Sequence, residues 1–146
     1  TTELYALVHR LWSDVLAASN LTTSLAPDNF PLPTPRTGPF FCFEKPGRTD
    51  VLFNGRKLLG SAQRRIPQRV LQHGSLLLSN RCAAHPGADL GLASDEVAES
   101  WCSAFAALLA EKLQLRLQRA SWSESQLADV EIRRGRFADA NWTMKY

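Results

Sequence analysis

The middle of the chain gathers side chains that can act on a carbonyl: Cys42, Lys57, the run Gly60-Ser61-Ala62-Gln63, and His73-Gly74-Ser75. A cysteine becomes a nucleophile when a neighbouring positive charge or base lowers its pKa. A lysine ammonium polarises a carbonyl and offsets the negative charge that develops on it. Small residues let a ligand come close enough for backbone N–H groups to hydrogen-bond it. Together these groups suit acyl transfer. Each also has an ordinary reading: an exposed hairpin lysine, an inert buried thiol, a structural histidine. Cys82 and His85 form a C-x-x-H pair, but without two further ligands they make no zinc site, and no metal is expected. Cys102, beside Trp101, reads as core, and His9 as exposed.

The elements that must position these groups are legible from periodicity. Leu4, Leu7, Val8, Leu11, Trp12, Val15 and Leu16 follow helical spacing, so residues 3–19 read as an amphipathic helix with Thr2 as its N-cap. Prolines 27, 31, 33, 35 and 39 make the next stretch an extended surface loop. Phe40-Phe41-Cys42-Phe43 reads as a buried strand and Asp50–Phe53 as a second. Asn54-Gly55 then supplies a two-residue hairpin turn into a returning strand, Arg56–Gln63. Arg64–Arg69, with Pro67, reads as a connection, and Val70–Ser79 as a third strong strand. Ser94 is expected to cap a helix whose buried stripe is Val97, Trp101, Phe105, Leu108, Leu109 and Leu113. Residues 115–119 read as a short strand, and Ser123 with Gln126 as a capping box opening a last helix over 124–136. The aromatics of the final segment are expected to dock on the sheet.

At 146 residues, 45% apolar and 21% charged, the chain has the composition of one globular domain. It lacks an apolar run of membrane-spanning length and a signal-peptide pattern, so a cytoplasmic location without membrane association is expected. Three cysteines without regular spacing argue against a disulfide framework. The net charge of +3 is patchy, with Arg56, Lys57, Arg64, Arg65 and Arg69 near the central stretch. Such a rim draws acidic partners. Nucleic acid is not expected, because no aromatic interleaving accompanies the arginines.

The pattern C-F-x-x-P-x-x-x-D-[LV]-x-x-N-G-R-K-[LI]-x-G-S-A-Q, from Cys42 to Gln63, followed by Leu71-Gln72-His73-Gly74-Ser75, resembles the lipoate–protein ligase and octanoyltransferase family. The likeness is dense over residues 40–79 and thinner elsewhere. It implies an α/β (α+β) fold shared with biotin–protein ligases, a mixed, largely antiparallel sheet flanked by helices. It implies that Lys57 contacts the acyl carbonyl and that Gly60, Ser61, Ala62, Gln63, His73, Gly74 and Ser75 line the acyl site. The cysteine resembles that of the octanoyltransferases. There Cys42 would attack octanoyl–acyl carrier protein, and a lipoyl-domain lysine, such as that of the glycine-cleavage H protein, would take the acyl group without a cofactor. An ATP-dependent lipoate–protein ligase, requiring ATP and Mg²⁺, is the alternative, and a non-catalytic lipoyl-domain-binding module is a third. Residues 1–39 lack the family's R-R-x-T-G-G-R-x-V-x-H segment. The chain is therefore expected to be a single partial catalytic domain, 1–146, completed by a missing N-terminal half.

Overall fold

The structure, a computed structural model, describes residues 2–28, 42–79, 85–92 and 95–143. It divides into two compact units, Thr1–Leu115 and Arg116–Tyr146. The first is α+β: helix α1 (Thr2–Ala18), strands β1 (Ser24–Leu25), β2 (Val51–Phe53), β3 (Arg56–Ile66) and β4 (Arg69–Leu76), then helix α2 (Asp95–Leu113). The strands form one sheet in the order β1-β2-β3-β4, antiparallel at every described pairing.

Helix α1 buries Ala6, Leu11, Val15 and Leu16. It stops where Asn20 turns left-handed, φ 61°. Leu21 N–H then donates to Leu16 O at 3.0 Å and Asn20 N–H to Ala17 O at 2.9 Å. This paired closure satisfies carbonyls that the last turn would leave open. Helix α2 ends the same way at Gln114, φ 52°, with Leu115 N–H donating to Ala110 O at 2.8 Å. Trp101 joins the helices by donating from Nε1 to Ser19 Oγ at 2.8 Å. Trp12 and Phe105 stack with ring centroids 4.5 Å apart. The core unites Val15 and Leu16 with Val51, Leu58, Leu59, Ala88 and Trp101.

The Asn54-Gly55 turn forms as expected, with φ of 51° and 74°. Positive φ at both central residues gives the turn whose twist matches the flanking strands. The second hairpin corrects the expectation of a connection over Arg64–Arg69. Strand β3 runs on to Ile66, and Ile66 pairs with Arg69, leaving only Pro67 and Gln68 as the loop. Proline suits the first central position of such a turn, and Gln68 takes the positive φ, 62°, that the second requires. Between Val51 and Leu52 the β2–β3 register slips: Val51 faces Leu59 but Leu52 faces Lys57, so Leu58 is an extra residue on β3. Such a bulge re-aims the side chains beside it.

The expected strand over residues 40–43 is corrected at its described residues, Cys42 and Phe43. Cys42 lies exposed in a turn; Phe40 and Phe41 fall outside the described residues, as do Ser94 and most of the proline segment. Both edges of β2 are already occupied, by β1 and β3, so Cys42 and Phe43 do not pair with it. No strand forms over 115–119.

The second unit holds α3 (Glu124–Ala138) and α4 (Ala140–Thr143). Its capping box is present: Gln126 N–H donates to Ser123 Oγ and Ser123 N–H to Gln126 Oε1. Phe137 and Trp142 pack edge to face at 5.0 Å.

Candidate active site

Lys57 is the centre of the site. The bulge shifts the alternation of β3, so Lys57 lies on the side of Gly60 rather than on that of Leu59 and Ser61. A Cβ built on Gly60 would stand 2.4 Å from Lys57 Cε and 2.7 Å from Nζ. The lysine is therefore folded over a position that only glycine leaves open. Its ammonium ends 2.7 Å from Asp50 Oδ2, donates to Lys45 O at 3.4 Å and stands 5.4 Å from the centre of the Phe43 ring. Residues 43 and 45 thus wrap the turn that carries Cys42 around Lys57.

Asp50 is 2% exposed, and both its oxygens are engaged. Oδ2 accepts from Gly47 N–H at 2.7 Å as well as from Lys57, and Oδ1 lies 3.1 Å from the Tyr5 hydroxyl. Tyr5 shares its one proton with Ser61 O at 2.7 Å. Burial pushes the Tyr5 pKa up, so the hydroxyl keeps that proton. Tyr5 thus pins α1 to β3 and fixes one face of the carboxylate that holds Lys57.

A second polar chain lies one turn along α1. His9 is fully buried, which overturns its expected exposure: it is drawn into the sheet by two strong hydrogen bonds. Nδ1 is 2.7 Å from Thr49 O. A carbonyl only accepts, so Nδ1 carries the hydrogen and Nε2 is left as an acceptor. Nε2 is 2.6 Å from Ser61 Oγ, so the serine donates to it. Gln72 Nε2 donates to the same oxygen at 3.0 Å, and Gln63 Nε2 to Gln72 Oε1 at 2.6 Å. Burial pushes the His9 pKa below the usual histidine value, against the pull of the Thr49 carbonyl and the Asp50 carboxylate. Thr49 itself has φ 64°, a strained value for a β-branched residue and one that clusters at functional sites.

This lowered pKa gives a stability signature. The unfolded histidine takes up a proton near pH 6.5, and the folded one only at lower pH. Stability of the first unit is therefore complete above about pH 6.5 and is lost as the pH falls below that value and through the folded-state pKa. Urea unfolding across this window should show that slope in the native protein and a flatter one in His9→Gln. An unchanged slope would remove His9 from the account.

The structure separates the residues expected in one acyl site. Ser61, His73, Gly74 and Ser75 line a cavity of about 360 Å³ with Trp12, Trp101 and Phe105. Lys57, Gly60, Ala62, Gln63 and Cys42 are not in that lining. Gly60 instead accommodates Lys57, and Gln63 belongs to the glutamine–serine chain. His73 is exposed on β4 opposite Ala62. Cys102, expected in the core, is exposed and borders the cavity, because the apolar stripe of α2 is only partly covered there. Cys82 lies outside the described residues. His85 packs near Phe43 at 5.8 Å and accepts from Gly87 N–H at 3.2 Å. Among the described residues no three His, Cys, Asp or Glu side chains are grouped to hold a metal, and no helix is long and apolar enough to cross a membrane.

Tyr5, His9 and Asp50 escaped the sequence reading. Tyr5, His9 and Trp12 do share one helical face at i, i+4 and i+7. Two hydrogen-bonding rings on a face otherwise meant for the core are the signal that was available.

A family model described as the biotin/lipoate A/B protein ligase family matches residues 2–80, which contain Tyr5, His9, Cys42, Asp50, Lys57 and Ser61. Over 37 residues the chain is 51% identical to the octanoyltransferase LipM of Kyrpidia tusciae (strain DSM 2912 / NBRC 15312 / T2). That stretch is 25% of this chain and 14% of the relative. No solved structure gives a significant match. With more than half of its length inside the family model, and the bulged strand, the buried carboxylate and the lysine all within that part, the chain belongs to the biotin/lipoate A/B protein ligase family.

Proposed function

We propose that this chain carries an octanoyl-transfer site of lipoate assembly, moving an octanoyl group from acyl carrier protein through Cys42 to a lysine of a lipoyl domain. The observation that carries the reading is Lys57, folded over Gly60 and held by buried Asp50 beside the turn of Cys42. Cys42 attacks the thioester carbonyl of the carrier; the new C–S bond forms and the carrier thiol leaves with a proton. The lysine of the acceptor then attacks the Cys42 thioester, forming an amide and returning the thiol. Throughout, the Lys57 ammonium offsets the negative charge on the carbonyl oxygen, a contribution of the oxyanion-hole kind. The short match to an octanoyltransferase supports this branch of the family. A cytoplasmic location goes with the proposal.

An ATP-dependent lipoate ligase is the second reading. Its Mg²⁺ would need free carboxylate oxygens, and the carboxylate at Lys57, Asp50, has both of its own engaged. A lipoyl-domain-binding module without catalysis is the third. Octanoyl transfer to a lipoyl domain, assayed with octanoyl–acyl carrier protein and no nucleotide, decides among them. Transfer without ATP is expected. Lipoyl-adenylate formed from lipoate and ATP would establish the ligase, and lipoyl-domain binding without transfer the module.

A further inference from the structure

Ser61 and His9 are more than a structural contact. The serine hydroxyl donates to His9 Nε2 at 2.6 Å. The opposite ring nitrogen is locked as a donor by Thr49 O at 2.7 Å, with Asp50 Oδ1 3.9 Å from it. A nucleophile hydrogen-bonded to a base, with the base oriented by a third group, is the arrangement that activates a hydroxyl. The serine also has somewhere to receive a substrate. It lines the cavity of about 360 Å³, within the range of small-molecule sites. The walls from α1 and α2 include Trp12, Trp101 and Phe105, while Ser61, Gln72, His73 and Ser75 supply polar atoms from β3 and β4. Gln72 Nε2, 3.0 Å from the serine oxygen, is a ready donor to a carbonyl oxygen becoming negative.

We propose that Ser61 is a second nucleophile of this protein, with His9 as its general base, and that the cavity takes a medium-chain acyl ester or thioester. Ser61 Oγ attacks the acyl carbon and passes its proton to His9 Nε2. The bond to the leaving alcohol or thiol breaks, and that group departs with the proton from His9. The acyl ester on Ser61 is then hydrolysed by water, which His9 deprotonates. This activity goes beyond the Cys42 route and does not depend on it, because Lys57 and Cys42 are absent from the cavity lining.

The test is labelling of the full chain with a medium-chain alkyl fluorophosphonate, which forms an Oγ–P bond and releases fluoride. Intact-mass and peptide mapping should place one adduct on Ser61, and His9→Gln should slow its formation by about 10²-fold or more, the usual worth of a general base. Ser61→Ala should abolish it. Because alanine leaves Nε2 without a donor, Ser61→Cys provides a folded control. In acid-quenched mixtures with p-nitrophenyl octanoate, the native protein should carry at residue 61 an ester that resists neutral hydroxylamine, and Ser61→Cys a thioester there that neutral hydroxylamine cleaves. No adduct at Ser61 in folded protein, or a rate indifferent to His9→Gln, overturns the proposal. Failure of the octanoyltransferase reading would show instead at Cys42.

Discussion

Asp50→Ala is expected to destabilise the first unit by about 3–5 kcal/mol, the cost of breaking a buried ion pair from one side. Asp50 is 2% exposed and Lys57 12% exposed. Removing the carboxylate strands the lysine ammonium and leaves Gly47 N–H without its side-chain acceptor. It also removes one of the two acceptors of Tyr5, loosening α1 from the sheet. Asp50→Asn should cost less, because an amide oxygen still accepts hydrogen bonds while the charge pairing is lost. Urea unfolding reads both: the midpoint should fall with the m-value unchanged. A loss for Asp50→Ala within the range of surface pairs, below about 1 kcal/mol, would mean that the pair is solvated.

Gly60→Ala is expected to act on function rather than on folding. The new methyl meets Lys57 Cε and Nζ at 2.4 and 2.7 Å. The end of a lysine can swing away at little cost, so stability should change by less than about 1 kcal/mol. The ammonium, however, shifts from its present position while staying paired with the Asp50 carboxylate. Octanoyl transfer should therefore fall by about 10²-fold or more, comparable with removing an oxyanion-hole donor. Gly74→Ala provides the contrast, because its methyl would meet Gly60 O at 2.7 Å and Ser61 Cβ at 2.9 Å. Those neighbours are backbone and a short side chain, so that variant should lose stability. Equal behaviour of the two variants would contradict the role given to Gly60.

The elements legible in the sequence are those whose cause is local. The Asn54-Gly55 hairpin follows from two positive φ angles, and the last helix from a capping box four residues long. The helix α1 follows from its apolar spacing, and the lysine from its place directly after the turn. What depended on distant partners was not legible. Tyr5 and His9 meet Ser61 across 56 and 52 residues, and no periodicity records such a meeting. The bulge at Leu58, which decides the side on which Lys57 lies, has no local marker. Three phenylalanines around Cys42 give it the look of a strand, but the edge of β2 is held by Ser24–Leu25, a strand too short to recognise.

The most direct test of the central claim is intact-mass spectrometry of the protein mixed with octanoyl–acyl carrier protein in the absence of ATP. The account predicts a single octanoyl adduct, released by hydroxylamine, mapping to Cys42 and missing from Cys42→Ala. Folded protein that transfers octanoyl groups to a lipoyl domain while Cys42 stays unmodified, or with Cys42→Ala at full rate, would contradict it.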